Sequence, residues 1–204
     1  MVDLETLGTN DAAPIISIGA VLFDPQGDDT FTKLHAQSFL RTVDIEDAIK
    51  VCGPASGSTI KWWFGKSDAA IKRLLGDVVY LSDALKDLWE YTHARTSRQP
   101  AWLTSMPLPT RIWAKDPDFD CKILQHACAQ LKIKYPFEYH IQRSVRTAQD
   151  LAFPNGELPT FTADGGEAAV HHDARDDAIM QALMIQACYK SLGLARSGIE
   201  FHRD

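Results

Sequence analysis

The chain opens on Met1-Val2-Asp3-Leu4-Glu5-Thr6-Leu7-Gly8, a short apolar run that carries two carboxylates. Asp3 and Glu5 are separated by one residue, so their side chains point the same way on an extended backbone. The mostly apolar run 14–23 follows and predicts a strand buried on both faces. A neighbouring strand at residues 1–4 would hold the two carboxylates at the rim of the sheet, where a rigid backbone positions metal ligands accurately. An Asp-x-Glu pair alone is more often a solvated strand end, so its meaning depends on the rest of the chain.

The composition predicts a globular protein with one core. The 204 residues are 45 % hydrophobic and 24 % charged, so a single domain over residues 1–204 is expected. No apolar run approaches the roughly 20 residues that cross a bilayer, and the first residues lack the basic head and apolar core of a secretion signal. We therefore expect an intracellular, cytoplasmic protein with no membrane partner.

Cysteine spacing argues against disulfide and zinc sites, and net charge argues against nucleic-acid binding by a basic surface. Cys52, Cys121, Cys128 and Cys188 contain no C-x-x-C pair, which predicts reduced thiols rather than a disulfide frame or a zinc site. The formal net charge of −6 argues against a protein that holds nucleic acid by bulk electrostatics. It does not exclude a nuclease, because an acidic active site meets phosphate through its bound cations.

Periodicity and turn residues indicate a mixed α/β sheet with helices packed on it. Strands are predicted at residues 1–4, 14–23 and 31–40 as an antiparallel meander, and at 111–114 and 139–145. Helices are predicted at residues 44–51, 59–64, 67–75, 81–94, 119–131, 148–152 and 174–192. The expected N-caps are Ser58, Asp118 and Asp173. Residues 96–110 and 153–170 are expected to form surface loops, the second of them mobile.

Acidic side chains recur where strands or helices would project them. Asp120 lies at the start of the predicted helix 119–131, and Asp177 lies near the start of the last helix. Each has an alternative interpretation. Asp120 alone could simply complement the helix dipole, and Asp176 competes with Asp177 for a functional role. His172, on the loop before the last helix, has His171 as its competitor.

Three short motifs give a specific resemblance. Val-Asp-Leu-Glu-Thr-Leu-Gly at residues 2–8, Phe119-Asp120, and His172-Asp-Ala-Arg-Asp-Asp177 resemble the three motifs of the DnaQ-like DEDD exonucleases, in the subgroup with His in the third motif. The flanks Ile-Ile-Ser-Ile-Gly-Ala-Val at 15–21 and Thr-Ile-Lys-Trp-Trp at 59–63 are similar to phage-type DexA exonucleases and related exoribonuclease-like domains. The resemblance covers nearly the whole chain. Its His-x-Ala-x-x-Asp spacing selects His172 over His171 and Asp177 over Asp176.

The resemblance implies a ribonuclease H-like fold and a 3′-5′ exonuclease that releases mononucleotides from a single strand with a free 3′ end. It implies that Asp3, Glu5 and Asp177 hold the ion that activates water, that Asp3 and Asp120 hold a second ion, and that His172 is the general base. Two Mg²⁺ or Mn²⁺ ions are the expected cofactors, because hard cations prefer oxygen ligands. DNA is the favoured substrate and RNA the alternative. A non-catalytic nucleic-acid-binding module and a structural metal-binding domain are the rival classes.

Aromatic and basic residues near the motifs are candidate substrate contacts. Trp62, Trp63 and Phe64 could stack on bases, although consecutive aromatic residues more often pack in a core. The candidate phosphate contacts are Lys115, Lys122, Arg143, Arg146 and Arg175. The turn Lys115-Asp116-Pro117-Asp118 departs from the Gly/Asn-rich turn that relatives carry before the second motif. We expect metal ligation by Asp120 to be kept and substrate contact or rate to differ there.

Overall fold

The computed structural model describes residues 1–96, 111–161 and 169–195. The strands are β1 (Val2–Thr6), β2 (Ile15–Ala20), β3 (Phe39–Val43), β4 (Val78–Val79), β5 (Ile112–Ala114) and β6 (Gln142–Ser144). The helices are α1 (Phe31–His35), α2 (Ile45–Cys52), α3 (Gly57–Trp63), α4 (Asp68–Leu74), α5 (Leu81–Thr96), α6 (Pro117–Gln130), α7 (Val145–Ala152) and α8 (Ala174–Ser191). Most of the predicted loop 96–110, and residues 162–168 of the loop 153–170, lie outside the described residues.

The sheet is mixed, which confirms the predicted fold class. Its order is β1-β2-β3-β4, with antiparallel pairing from β1 to β3 and parallel pairing of β3 with β4. Strands β5 and β6 pair in parallel as a second, two-stranded sheet, and β5 lies beside β1. With helices packed on it, this arrangement agrees with the ribonuclease H-like fold.

The central strand β2 is buried along its whole length, as its apolar sequence predicts. One apolar cluster joins it to α2, α5 and α6, with Ile18, Leu81 and Ile123 fully buried. A second cluster forms around α8 and includes Ile179 and Ile185. Covering both faces of a strand with helices is the condition under which its sequence is a continuous hydrophobic run.

A glycine in β2 lets α8 approach the sheet closely. A Cβ atom built on Gly19 would overlap the backbone carbonyl of Ala174, the first residue of α8. Only glycine allows a backbone to come this near, because every other residue carries that Cβ. The first turn of α8 therefore lies directly against β2, which in turn pairs with β1.

The predicted strand at 31–40 is wrong, because its first half is the helix α1. Thr30 caps this helix by accepting a hydrogen bond from the Lys33 backbone N–H. Phe31 and Leu34 are three residues apart and both buried, so they share one helical face. Strand β3 begins only at Phe39, although its antiparallel pairing with β2 agrees with the predicted meander.

Two predicted caps and one strand boundary also need correction. Helix α6 begins at Pro117 and is capped by Asp116 rather than Asp118, because proline favours the first helical position. Helix α3 follows Ser56, not Ser58. The predicted strand 139–145 is a 3₁₀ turn at Tyr139–Ile141 followed by the short strand β6. The cap of α8 by Asp173 is confirmed, since its side chain accepts from the Arg175 and Asp176 backbone N–H groups.

The four cysteines are buried and free, as the absence of a C-x-x-C pair predicts. Among the described helices, none combines the length and the apolar character needed to cross a membrane.

Candidate metal centre

Three carboxylates from opposite ends of the chain meet in one place. Asp3 and Glu5 project from β1, and Asp177 projects from the start of α8. Their carboxylate oxygens lie within 4.8 Å of one another. The close approach of α8 to the sheet at Gly19 is what brings Asp177 to the strand that carries the other two.

The electrostatics of this cluster favour a bound cation. Burial raises the pKa of Asp3 well above its usual range, and the charges of Asp120 and Glu5 raise it further. Burial also raises the pKa of Glu5 to about 8, with Asp177 adding to the rise. Carboxylates crowded together resist ionisation unless a positive charge joins them. The oxygen-only donors of Asp3, Glu5 and Asp177 fit hard divalent ions such as Mg²⁺ and Mn²⁺.

Asp120 lies beside this cluster but outside its tightest group. Its side chain is only 3 % exposed, and Oδ1 accepts a hydrogen bond of 3.1 Å from the Leu4 backbone N–H. Leu4 stands between Asp3 and Glu5, so Asp120 anchors the strand that carries both. Burial raises the pKa of Asp120 to about 7, although hydrogen bonds from backbone N–H groups oppose the rise.

Gln181 is a site residue that the sequence patterns did not reveal. Its Nε2 donates a 2.7 Å hydrogen bond to Oδ1 of Asp3. Its Oε1 is buried and has no hydrogen-bond partner among the described residues. The available signal was its spacing, because Gln181 lies four residues after Asp177 and therefore on the same face of α8. This contact fixes the orientation of the Asp3 carboxylate.

Both candidate histidines reach Asp177. The His172 backbone N–H donates to Asp177 Oδ2 at 3.2 Å, and His171 Nδ1 lies 3.3 Å from Asp177 Oδ1. The two imidazole rings stack with their centroids 4.1 Å apart. His172 has a φ of 65°, a left-handed conformation that is uncommon for a residue other than glycine and recurs at functional sites. Both histidines therefore contact Asp177, and these contacts do not favour one of them as the general base.

The ring of His172 is held by aromatic neighbours. Its centroid lies 4.8 Å from that of Trp62, in an edge-on arrangement. Burial lowers the pKa of His172 to about 4, and the nearby charges of His171 and Lys66 act in the same direction. The imidazole is therefore neutral at pH 7, the form that can accept a proton.

The three consecutive aromatic residues have different environments. Trp63 is buried and its indole N–H donates to the Thr6 carbonyl at 3.0 Å, which is the packing role expected for this group. Trp62 is 44 % exposed, and the Lys66 ammonium lies 3.6 Å from its ring centroid. Phe64 is 81 % exposed. Trp62 is thus the aromatic residue that contacts His172 while still facing solvent.

Asp176 has structural partners instead of a place in the cluster. It is buried, and its Oδ2 accepts a 2.9 Å hydrogen bond from the Val170 backbone N–H. Its Oδ1 lies 3.4 Å from Nε of Arg175. These contacts hold the segment before α8 against the first turn of that helix.

The carboxylates open into a cavity of about 900 Å³. Both histidines, Lys115 and Gln181 share its walls with the acids. Apolar side chains line the rest, among them Val145, Phe161, Met180 and Met184. A polar, acidic end and an apolar end in one cavity suit a ligand that carries both a phosphate and a base.

Comparisons with known proteins identify a family for this chain. Residues 1–189 match the family model described as the Rv2179c-like 3′-5′ exoribonuclease domain. A protein of Enterobacteria phage T4 named exodeoxyribonuclease is 23 % identical over 209 residues, which cover 91 % of this chain and 86 % of the phage protein. No solved structure matches. Because the family match spans β1, α6 and the motif acids of α8, the chain belongs to the Rv2179c-like 3′-5′ exoribonuclease domains, a family of the DnaQ-like exonuclease type.

Proposed function

We propose that this protein is a metal-dependent 3′-5′ exonuclease that removes mononucleotides from single-stranded nucleic acid. The observation that carries the proposal is the meeting of Asp3, Glu5 and Asp177, whose oxygens lie within 4.8 Å of one another although they come from opposite ends of the chain. Family membership supports the reaction, because the family is described by 3′-5′ exoribonuclease activity.

The proposed cofactors are two Mg²⁺ or Mn²⁺ ions. Asp3, Glu5 and Asp177 would hold one ion, and Asp3 with Asp120 would hold the other. When bound, such a pair of cations supplies positive charge to the phosphodiester, to the attacking water and to the leaving oxygen. The acids of this chain fit that role because all of them are oxygen donors and burial raises the pKa of each.

The side chains of this protein orient the reaction and move a proton. The water oxygen attacks phosphorus of the terminal phosphodiester, and the bond from phosphorus to the 3′ oxygen of the preceding nucleotide breaks. That oxygen keeps the electron pair and takes a proton from solvent, which gives a 3′-hydroxyl. The products are a nucleoside 5′-monophosphate and a strand that is shorter by one nucleotide. A ring nitrogen of His172 accepts the proton that the water loses, since its imidazole is neutral at pH 7. Gln181 keeps the Asp3 carboxylate in one orientation.

DNA and RNA are both candidate substrates, each favoured by one observation. The phage T4 relative is named an exodeoxyribonuclease, which favours DNA. The family is described as exoribonucleases and its match spans residues 1–189, which favours RNA. The two polymers differ at the 2′-hydroxyl, so a site that contacts this group would distinguish them.

A time course on 5′-labelled single strands tests the proposal. DNA and RNA of one sequence are incubated with Mg²⁺, with Mn²⁺ or with EDTA, and the isosteric variant Asp177→Asn controls for a contaminating nuclease. A metal-dependent ladder that shortens from the 3′ end, absent with the variant, is expected, and the faster polymer identifies the substrate class. A strand that stays bound but intact would overturn the proposed exonuclease activity and favour a non-catalytic binding module. Metal binding without strand binding would indicate a structural metal domain.

A further inference from the structure

Five basic residues lie near the motifs, and the structure separates one of them from the others. Four of the five already have a partner. Three of them form ion pairs with a carboxylate, in the pairs Lys122–Asp118, Arg146–Asp116 and Arg175–Asp176. The fourth, Arg143, donates hydrogen bonds to the backbone carbonyls of His140 and Gln142. A cation that already has a carboxylate or carbonyl partner must give up part of that interaction to bind a phosphate.

Lys115 differs from these four residues in its contacts and in its location. Its side chain forms no hydrogen bond or ion pair with any residue in the described ranges. It follows β5 directly, and this strand lies beside β1. It also lines the same cavity as Asp3, Glu5 and Asp177. Lys115 is therefore a cation at the edge of the acidic cluster that is not committed to any described acid.

The charge of Lys115 acts on the groups of the site. Burial raises the pKa of Asp177, and the positive charge of Lys115 is among the effects that oppose this rise. A nucleic-acid strand carries a negative charge at every phosphate, which acidic cavity walls repel. A flexible ammonium at the cavity edge offsets that repulsion and can donate to a phosphate oxygen.

We propose that Lys115 binds a phosphate of the single strand that enters the cavity, an inference that rests on the proposed exonuclease function. The contact supplies affinity and register without base recognition, because every nucleotide carries the same phosphate. It lies at the turn where this sequence departs from the Gly/Asn-rich turn of the proteins that it resembles. In this proposal the cation that binds the strand is Lys115, which belongs to the turn that precedes the second motif.

The test compares Lys115→Gln, Lys115→Arg and Lys122→Gln with the wild type. Lys122→Gln is the matched control, because it removes the same charge from a neighbouring lysine that pairs with Asp118. The probe is a fluorescein-labelled oligothymidylate in buffer with Ca²⁺ in place of Mg²⁺, and its integrity is checked by electrophoresis. Fluorescence anisotropy gives the Kd at several KCl concentrations.

For Lys115→Gln we expect about five- to tenfold weaker binding at low salt, and a salt slope of log Kd that is smaller by about 0.7, the value for one phosphate contact on a single strand. Lys115→Arg should retain most of the affinity, and Lys122→Gln should match the wild type. Lys115 is exposed, so thermal unfolding of Lys115→Gln should be unchanged.

Two results would overturn the inference. One is a Lys115→Gln variant with wild-type affinity and salt slope. The other is an equal loss in Lys122→Gln, which would indicate general electrostatics rather than one contact. The exonuclease time course separates this inference from the proposed function. If the wild type yields no ladder but binds the strand through Lys115, only the proposed exonuclease activity is overturned. If the wild type yields a normal ladder and Lys115→Gln binds the strand as the wild type does, only the proposed phosphate contact is overturned.

Discussion

At the scale of single residues, Asp120 serves the fold as well as the candidate site. Asp120→Asn keeps an oxygen that can accept from the Leu4 N–H, so we expect the fold to persist while turnover falls by roughly a hundredfold or more through loss of a metal ligand. Asp120→Ala should also lose about 1–3 kcal/mol of stability, because it leaves a buried N–H unpaired. Kinetics on a labelled strand and urea unfolding measure the two effects. Wild-type turnover in Asp120→Asn would remove this residue from the proposed ligand set.

The two neighbouring histidines make different predictions. His172→Asn should lower kcat by about 10²- to 10⁴-fold, the usual contribution of a general base, while Mn²⁺ affinity stays unchanged. His171→Asn removes a 3.3 Å contact with Asp177 and the ring that stacks on His172, but it leaves the proposed base in place, so its effect on kcat should be smaller. Single-turnover rates and calorimetric Mn²⁺ titrations provide the comparison. A larger loss in His171→Asn would assign the base to the other histidine.

Gln181 tests whether orientation of Asp3 matters for the metal. Gln181→Met retains the length of the side chain but cannot donate to Asp3, and we expect Mn²⁺ affinity to fall about 10- to 100-fold. Gln186→Met is the matched control, since Gln186 is also on α8 but bonds to Asp24 and Asp29. It should lose stability yet keep its Mn²⁺ affinity. Equal affinities for Gln181→Met and wild type in calorimetry would show that Asp3 needs no such support.

At the scale of elements, the contact between β2 and α8 positions the acids of the candidate metal centre. Asp173 caps α8 and its buried carboxylate lies 3.3 Å from Nε of Arg73, so α4 also holds this helix end. Gly19 supports the same end from the sheet. Two elements, α4 and β2, therefore hold the helix end that carries Asp177.

Gly19→Ala should damage stability and metal binding together. The added Cβ overlaps the Ala174 carbonyl, so α8 must shift, at a cost of about 1–3 kcal/mol or more. The shift moves Asp177 away from β1 and should weaken Mn²⁺ binding. Gly57→Ala is the control, because nothing lies within 4 Å of the position that its added Cβ would occupy. Thermal unfolding and Mn²⁺ calorimetry report both properties, and a Gly19→Ala variant with unchanged Mn²⁺ affinity would contradict the positioning argument.

At the scale of the whole molecule, the acid cluster couples stability to pH and metal. The folded protein holds the proton of Glu5 up to about pH 8, whereas the ordinary pKa is 4.5. Between pH 4.5 and about pH 8 the folded state therefore binds more protons than the unfolded state. The free energy of unfolding falls as pH rises through this range. Asp120, with a pKa of about 7, acts in the same direction.

We therefore expect the metal-free protein to lose stability, on the order of a kcal/mol or more, between about pH 6.5 and pH 8. His172 and the buried amino group of Met1 offset part of this loss, because burial lowers both pKa values, to about 4 and about 5, and the unfolded state then binds more of these protons. Asp3, whose pKa burial raises, acts with Glu5 and keeps the net change a loss. Mg²⁺ should restore stability most strongly at the alkaline end, because it binds the ionised carboxylates. Melting curves in EDTA and in Mg²⁺ test this, with Glu5→Gln as the variant that flattens the profile. A profile in EDTA that is flat for the wild type would refute the coupling.

The sequence by itself determined the features that depend on neighbouring residues. The apolar run of β2, the Asp173 cap of α8 and the three motif segments are each encoded within a few positions. Their local hydrogen bonds and periodicity do not depend on the rest of the molecule. The mixed α/β fold could therefore be predicted. The resemblance of the motifs to a known family, rather than the local pattern, selected the candidate residues Asp3, Glu5, Asp120, His172 and Asp177, whose roles stay predictions. Helix α1 was missed because Thr30 capping and the Phe31 and Leu34 spacing are weak signals in five residues.

Only the tertiary structure decided which side chains surround those acids. The hydrogen bond from Gln181 to Asp3 spans 178 positions, and the one from Leu4 to Asp120 spans 116. Likewise, the unpaired state of Lys115 among its described neighbours depends on the partners that the other basic residues find. Such contacts follow from how closely two backbones pack, as at Gly19 and Ala174, and no local pattern encodes that distance.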